Sequence, residues 1–122
     1  MPPIRTTPLV YISGKYTAPT LAEVEEHKAL AREVGYAVMD LGCEPLVPHF
    51  SCPPPRETDV RAIWKRAMRS CLVQMLRCDA VLMVPNWRDS RGARVERWVA
   101  LRAGLPVYHS LTEFCFSRFA KL

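Results

Sequence analysis

The run AVLMVP (residues 80–85) is apolar throughout, and it constrains the fold more than any other stretch. A strand with one face on water alternates apolar with polar side chains; a strand covered on both faces does not. A second run, PLVYISG (8–14), is apolar, β-branched and aromatic, and closes on a glycine. Both have the character of buried strands followed by turns. EPLVPHF (44–50) and LPVYHS (105–110) supply two further short strands.

Helical patterns lie between these runs. Thr20 followed three residues later by Glu23 is a capping box. Leu21, Val24, Ala31, Val34, Val38 and Leu41 then recur at three- and four-residue steps. The spacing predicts one long helix that runs through Gly35 and stops at Gly42. The competing arrangement, a helix ending at Gly35 and a strand YAVMDL, breaks that periodicity. From Asp59 onward Val60, Ile63, Trp64, Ala67, Met68, Cys71, Leu72 and Met75 share one helical face. A third helix follows NWRDS and ends near Ala103 and Gly104, and LTEFCFSRFAKL (111–122) makes a closing amphipathic helix. SCPPPRET (51–58) is a proline-rich loop.

Strands and helices thus alternate, βαβαβαβα. That order predicts an α/β, Rossmann-like or flavodoxin-like three-layer sandwich, with about four parallel strands and helices on both faces. The chain has 122 residues, 49% hydrophobic and 24% charged, which suits one domain over residues 1–122. No apolar run approaches the roughly 18–20 residues of a membrane span, and the start MPPIRTTPLVYISG lacks the apolar core of a secretory signal. A cytoplasmic location is the expectation. Five cysteines without a CxxC pair match neither a zinc site nor a disulfide framework, and most are expected as small core residues. The net charge of +5 favours anionic partners. The basic residues are scattered, however, which argues against a duplex-binding surface.

Parallel sheets of this kind bind ligands at the carboxyl ends of their strands. The loops there hold the candidate binding residues: Gly14 and Lys15 after the first strand, His49 after the second, and Asn86, Trp87, Ser90 and Gly92 after the third. Gly14 would let a ligand approach the backbone, although GxGxxG is absent. Ser90 or Asp89 can cap the following helix, whose free N–H groups suit a phosphate. Tyr11 and His49 could contact a ligand or be structural. Glu96 is the anomaly: helical spacing turns it the same way as Ala93, Val99 and Ala100. A carboxylate on that face needs polar partners or a polar pocket. The alternative puts it at the helix margin, paired with Arg94 or Arg97.

Taken in order, YISG, P-H, CDAVLMVPNW and S-x-G-A-x-x-E resemble the nucleoside 2-deoxyribosyltransferase-like superfamily, across about residues 8–108. That group includes the deoxynucleoside 5′-monophosphate N-glycosidases. The resemblance implies that Glu96 is the nucleophile that attacks the anomeric carbon and that Tyr11 contacts it. It further implies that Ser90 serves the 5′-phosphate, where plain nucleoside transferases carry an aspartate. It implies a nucleotide or nucleoside as the small-molecule partner, a homo-oligomer that shares its pockets, and no metal or cofactor.

One position departs from the pattern. The family carries an aspartate on the preceding helix, eight residues before the aspartate of strand three, to protonate the leaving base. Cys71 stands there, eight residues before Asp79. Two functions follow as expectations. One is cleavage or exchange of an N-glycosidic bond, with another residue such as His49 assisting. The other is nucleotide binding without catalysis. A third, a partner-binding domain that uses Trp64, Trp87 and Trp98 against nucleic acid, ranks last.

Overall fold

The computed structural model describes residues 3–53 and 56–121. Four strands, β1 (Leu9–Ser13), β2 (Glu44–Leu46), β3 (Ala80–Met83) and β4 (Val107–Tyr108), form one sheet in the order β2-β1-β3-β4. All three pairings are parallel; β1 and β3 run in register from Val10–Ala80 to Ser13–Met83. The helices are α1 (Leu21–Asp40), α2 (Pro48–Ser51), α3 (Val60–Met75), α4 (Arg91–Arg102) and α5 (Leu111–Cys115). This is the expected Rossmann-like or flavodoxin-like α/β fold.

Two cores sandwich the sheet. Val10, Ile12, Leu82 and Val84 pack against Ala31 and Val38 of α1 and Phe114 of α5. Tyr11, Val81 and Met83 pack on the other face against Met75 of α3 and Ala93 and Ala100 of α4. The split follows from the strand period: successive side chains point to opposite faces. It also follows from chain order. The path steps from β1 outward to β2, then back over β1 to β3, so right-handed crossovers leave α1 on one face and α3 and α4 on the other. The reversal between β1 and β3 opens a crevice at their carboxyl ends.

The long α1 forms as the periodicity predicts. Thr20 accepts from the Glu23 N–H, and Gly42, at φ +83°, ends the helix in a conformation that other residues seldom adopt. Gly35 stays inside α1 because a Cβ there would lie 3.3 Å from Val47 Cγ2, so its lack of a side chain lets α1 sit close to β2. Leu21, by contrast, is exposed rather than on the core face, as are Val60 and Ala67 of α3. Asp79 has a structural role: its Oδ2 accepts from Leu9 N–H at 2.8 Å and ties the starts of β1 and β3.

Three boundaries differ from the sequence expectation. The strand expected over 44–50 ends at Leu46, and residues Pro48–Ser51 form a helical turn. Proline fits the first helical position, where no N–H is needed, so Pro48 starts a helix as well as ending a strand. A 3-10 turn, Trp87–Asp89, precedes α4, and Ser90 rather than Asp89 is its cap. The closing helix stops at Cys115 instead of continuing to the end of the chain. Leu122, and Pro54 and Pro55 of the expected loop, lie outside the described residues.

Candidate functional site

Glu96 is 5% exposed and, with Ser13, is one of the two buried polar or charged residues among those described. It lies one turn from both Ala93 and Ala100 on the buried face of α4. Tyr11 and Ser13, two residues apart on β1, point into the same α3–α4 layer. The Tyr11 hydroxyl donates to Glu96 Oε2 at 2.5 Å, and the Ser13 hydroxyl donates to Oε1 at 2.7 Å. Glu96 therefore has the polar partners that its position demands. Among the described residues it forms no ion pair with Arg94 or Arg97. Arg97 turns away and donates from Nε to His109 Nε2 at 2.8 Å.

Burial pushes the Glu96 carboxyl above its ordinary range, and the hydrogen bonds from Tyr11, Ser13 and Cys71 pull it partly back. Tyr11 is raised well above the usual phenol value, first by burial and then by the Glu96 charge. The Cys71 thiol is pushed up to about 12, first by burial and then by Glu96. Cys71 thus stands beside the carboxylate, at the position where the nucleoside 2-deoxyribosyltransferase-like pattern that the sequence resembles has an aspartate. A thiol that holds its proton this firmly can donate a hydrogen bond but is a poor acid.

The other candidate residues join the three loops at the strand ends. Asn86 Oδ1 accepts from Lys15 N–H at 3.0 Å. His49 Nε2 lies 2.9 Å from the Lys15 carbonyl. That carbonyl can only accept, so Nε2 bears the proton and Nδ1 presents a lone pair. Nδ1 is buried with no partner among the described residues. Burial holds the His49 pKa below its usual value; the Lys15 carbonyl opposes this, and the nearby His27 and Lys28 reinforce it. Neutral His49 therefore offers an acceptor, which fits ligand binding better than delivery of a proton to a leaving base. Tyr16 packs against its ring at 5.5 Å.

Gly14 is required by the fold itself. A Cβ there would lie 2.7 Å from Val84 Cβ and 3.1 Å from Asn86 Oδ1. The close neighbour is thus the chain after β3, where the sequence suggested a ligand. Ser90 Oγ accepts from Ala93 N–H at 3.1 Å and caps α4; among the described residues its own O–H has no acceptor. The first N–H groups of the 12-residue α4 have no intrahelical acceptor. A Cβ on Gly92 would meet Met68 Sδ at 3.3 Å, so this turn sits close against α3.

Trp87 is half-buried between Arg88, 5.0 Å from its ring, and Arg97, at 5.2 Å. With Val34, Met83, Arg88, His109 and Leu111 it lines a cavity of about 390 Å³. Glu96, Tyr11 and Ser13 are not part of that lining. Two groups of sequence-predicted residues therefore emerge: Tyr11 with Glu96 in the α3–α4 layer, and Gly14, Lys15, His49, Asn86, Trp87 and Ser90 along the carboxyl edge.

The sequence reasoning passed over Ser13, Gln74 and Cys52. Ser13 had a signal, since a residue two places beyond Tyr11 shares its strand face. Gln74 and Cys52 had none. Gln74 Nε2 donates to Cys52 Sγ at 3.3 Å, and Cys52 Sγ lies 3.9 Å from Cys71 Sγ. All five cysteines are free thiols; Cys43 and Cys78 are core residues, whereas Cys52, Cys71 and Cys115 are only partly buried.

Among the described residues there is no cluster of three or more metal-ligating side chains and no helix long and apolar enough to cross a membrane. No curated protein matches the chain. Residues 8–109 match a domain of unknown function, DUF4406, and the chain belongs to that family.

Proposed function

We propose that the protein binds a (deoxy)nucleoside 5′-monophosphate, or a related nucleoside, and cleaves or exchanges its N-glycosidic bond through Glu96. The observation that carries this is the buried Glu96 carboxylate held by two hydroxyls, Tyr11 on Oε2 and Ser13 on Oε1. A carboxylate buried without a counter-charge is costly, and such groups concentrate at functional sites. The resemblance of the ordered motifs to the nucleoside 2-deoxyribosyltransferase-like superfamily supports the same chemistry.

In that chemistry Glu96 attacks the anomeric carbon and the base departs, leaving a glycosyl ester. Water or a second base then attacks the same carbon and frees the carboxylate. Tyr11 and Ser13 hold the carboxylate in one orientation between the two steps. The Ser90 hydroxyl and the first N–H groups of α4 are suited to a phosphate, and His49 Nδ1 to a donor on the ligand. Because Glu96 is 5% exposed, the side chains covering it must move before a sugar can touch it.

One observation favours the second function, nucleotide binding without turnover: Cys71 beside Glu96, with its thiol pushed up to about 12. Incubation with a panel of nucleosides and nucleotides, followed by chromatography of free base, separates the two. Base release that disappears in Glu96→Ala supports catalysis. Calorimetric binding without release supports the binding role. Release unchanged in Glu96→Ala overturns the nucleophile assignment.

A further inference from the structure

Cys52 and Cys71 come together from separate elements. Cys52 follows the helical turn α2, and Cys71 lies one turn before the end of α3. Their sulfurs are 3.9 Å apart, whereas a disulfide bond is about 2 Å long, so they form a contacting dithiol. Gln74, one turn beyond Cys71, ties down Cys52 and its neighbour Ser51. Gln74 Nε2 donates to Cys52 Sγ at 3.3 Å, and Gln74 Oε1 accepts from the Ser51 hydroxyl at 2.7 Å. Cys71 in turn adjoins Glu96 and Tyr11.

We propose that Cys52 and Cys71 are a modification site, a dithiol that hydrogen peroxide converts to an intramolecular disulfide at the edge of the Glu96 site. The two thiols have different parts. Cys71 keeps its proton, with a pKa of about 12, and is a weak nucleophile. Cys52, which follows α2 and lies on the far side of Cys71 from Glu96, meets the oxidant. Its thiolate attacks one peroxide oxygen and expels hydroxide, giving a sulfenic acid. The Cys71 sulfur then attacks the Cys52 sulfur and displaces the sulfenic oxygen. The Cys71 proton leaves with that oxygen as water. Two thiols and one peroxide thus yield one disulfide and two waters. Cys71 Sγ ends without a hydrogen, so Glu96 loses one of its three side-chain donors. Any effect of this on base release rests on the function proposed above; formation of the bond does not.

The test uses the full chain and hydrogen peroxide, with alkylation of the remaining thiols and peptide mapping at each time. The expected result is a free-thiol count that falls by two, a Cys52–Cys71 cross-linked peptide, and reversal by a thiol reductant. In Cys71→Ser the reaction stops at a Cys52 sulfenic acid that a dimedone probe captures. Three results would overturn the proposal. One is persistence of both thiols while a simple thiol peptide is oxidised. Another is pairing of either residue with Cys43, Cys78 or Cys115. The last is a cross-link that forms as readily in denaturant as in the folded chain. The wild-type experiment needs no variant, so a misfolded mutant leaves it decisive.

Discussion

Ser13 Oγ and Glu96 Oε1 meet at 2.7 Å, although 83 residues separate them in the chain. Ser13→Ala leaves a buried carboxylate oxygen without that donor, at a cost of about 1–3 kcal/mol. The hydrogen bond lowers the Glu96 pKa, so its loss raises the carboxyl further. On the proposed mechanism, base release needs the ionised form and falls as pH drops through the Glu96 pKa. The acid limb of a pH–rate profile should therefore move to higher pH in Ser13→Ala, and likewise in Tyr11→Phe. Unshifted limbs in both would show that another group controls ionisation.

Glu96→Gln should leave stability unchanged or raise it at neutral pH. The sign follows from linkage. The folded-state pKa of Glu96 is raised, so the group's contribution is fully present below the unfolded value. It is lost as pH rises through the folded one. Wherever the carboxyl is ionised, its buried charge is a burden that the amide lacks. Melting temperatures across a pH series should show the variant's advantage growing from acid to neutral. A large loss of stability at neutral pH would contradict this.

Cys71→Asp puts beside Glu96 the carboxylate found at this position in the nucleoside 2-deoxyribosyltransferase-like pattern that the chain resembles. Two carboxyls in one buried site cannot both ionise freely, so one stays protonated at higher pH. That proton is available to the departing base. General acids contribute roughly 10²–10⁴-fold, and single-turnover base release should rise by about tenfold or more, with some loss of stability. An unchanged rate in a folded variant would mean that leaving-group protonation does not limit turnover.

Gly14→Ala drives a methyl group to 2.7 Å from Val84 Cβ. Overpacking of this kind costs about 1–3 kcal/mol. The urea midpoint should fall with an unchanged m-value. Asn86→Ala, which removes only the acceptor for Lys15 N–H, should cost less.

Much of this was legible because period and chemistry agree locally. The alternation of Tyr11 and Ser13 with Val10 and Ile12 follows from strand geometry alone. Glu96 stood out because a carboxylate sits where spacing calls for an apolar residue. The parallel sheet followed from AVLMVP being apolar on both faces. The boundary of β2 was harder to see. Pro48 can end a strand or start a helix, and only the packing of His49 and Tyr16 beyond it decides. The face of α3 was overdrawn at Val60 and Ala67, since helical spacing marks a stripe without fixing how far along the helix the sheet reaches. Cys52 was invisible as a partner of Cys71. No local rule links positions 19 residues apart on separate elements, and only the seating of α2 against α3 brings them together.

The sheet is also finished at both sides. At one edge β4 has two residues, and at the other β2 has three, including Pro45, which has no N–H to offer. An incoming strand finds too few unpaired backbone groups in a row to zip onto. The long apolar strands that could template cross-β growth, β1 and β3, are shut inside. The fold thereby guards against edge-to-edge polymerisation while folded, and its exposure to aggregation is confined to the time that AVLMVP spends unfolded.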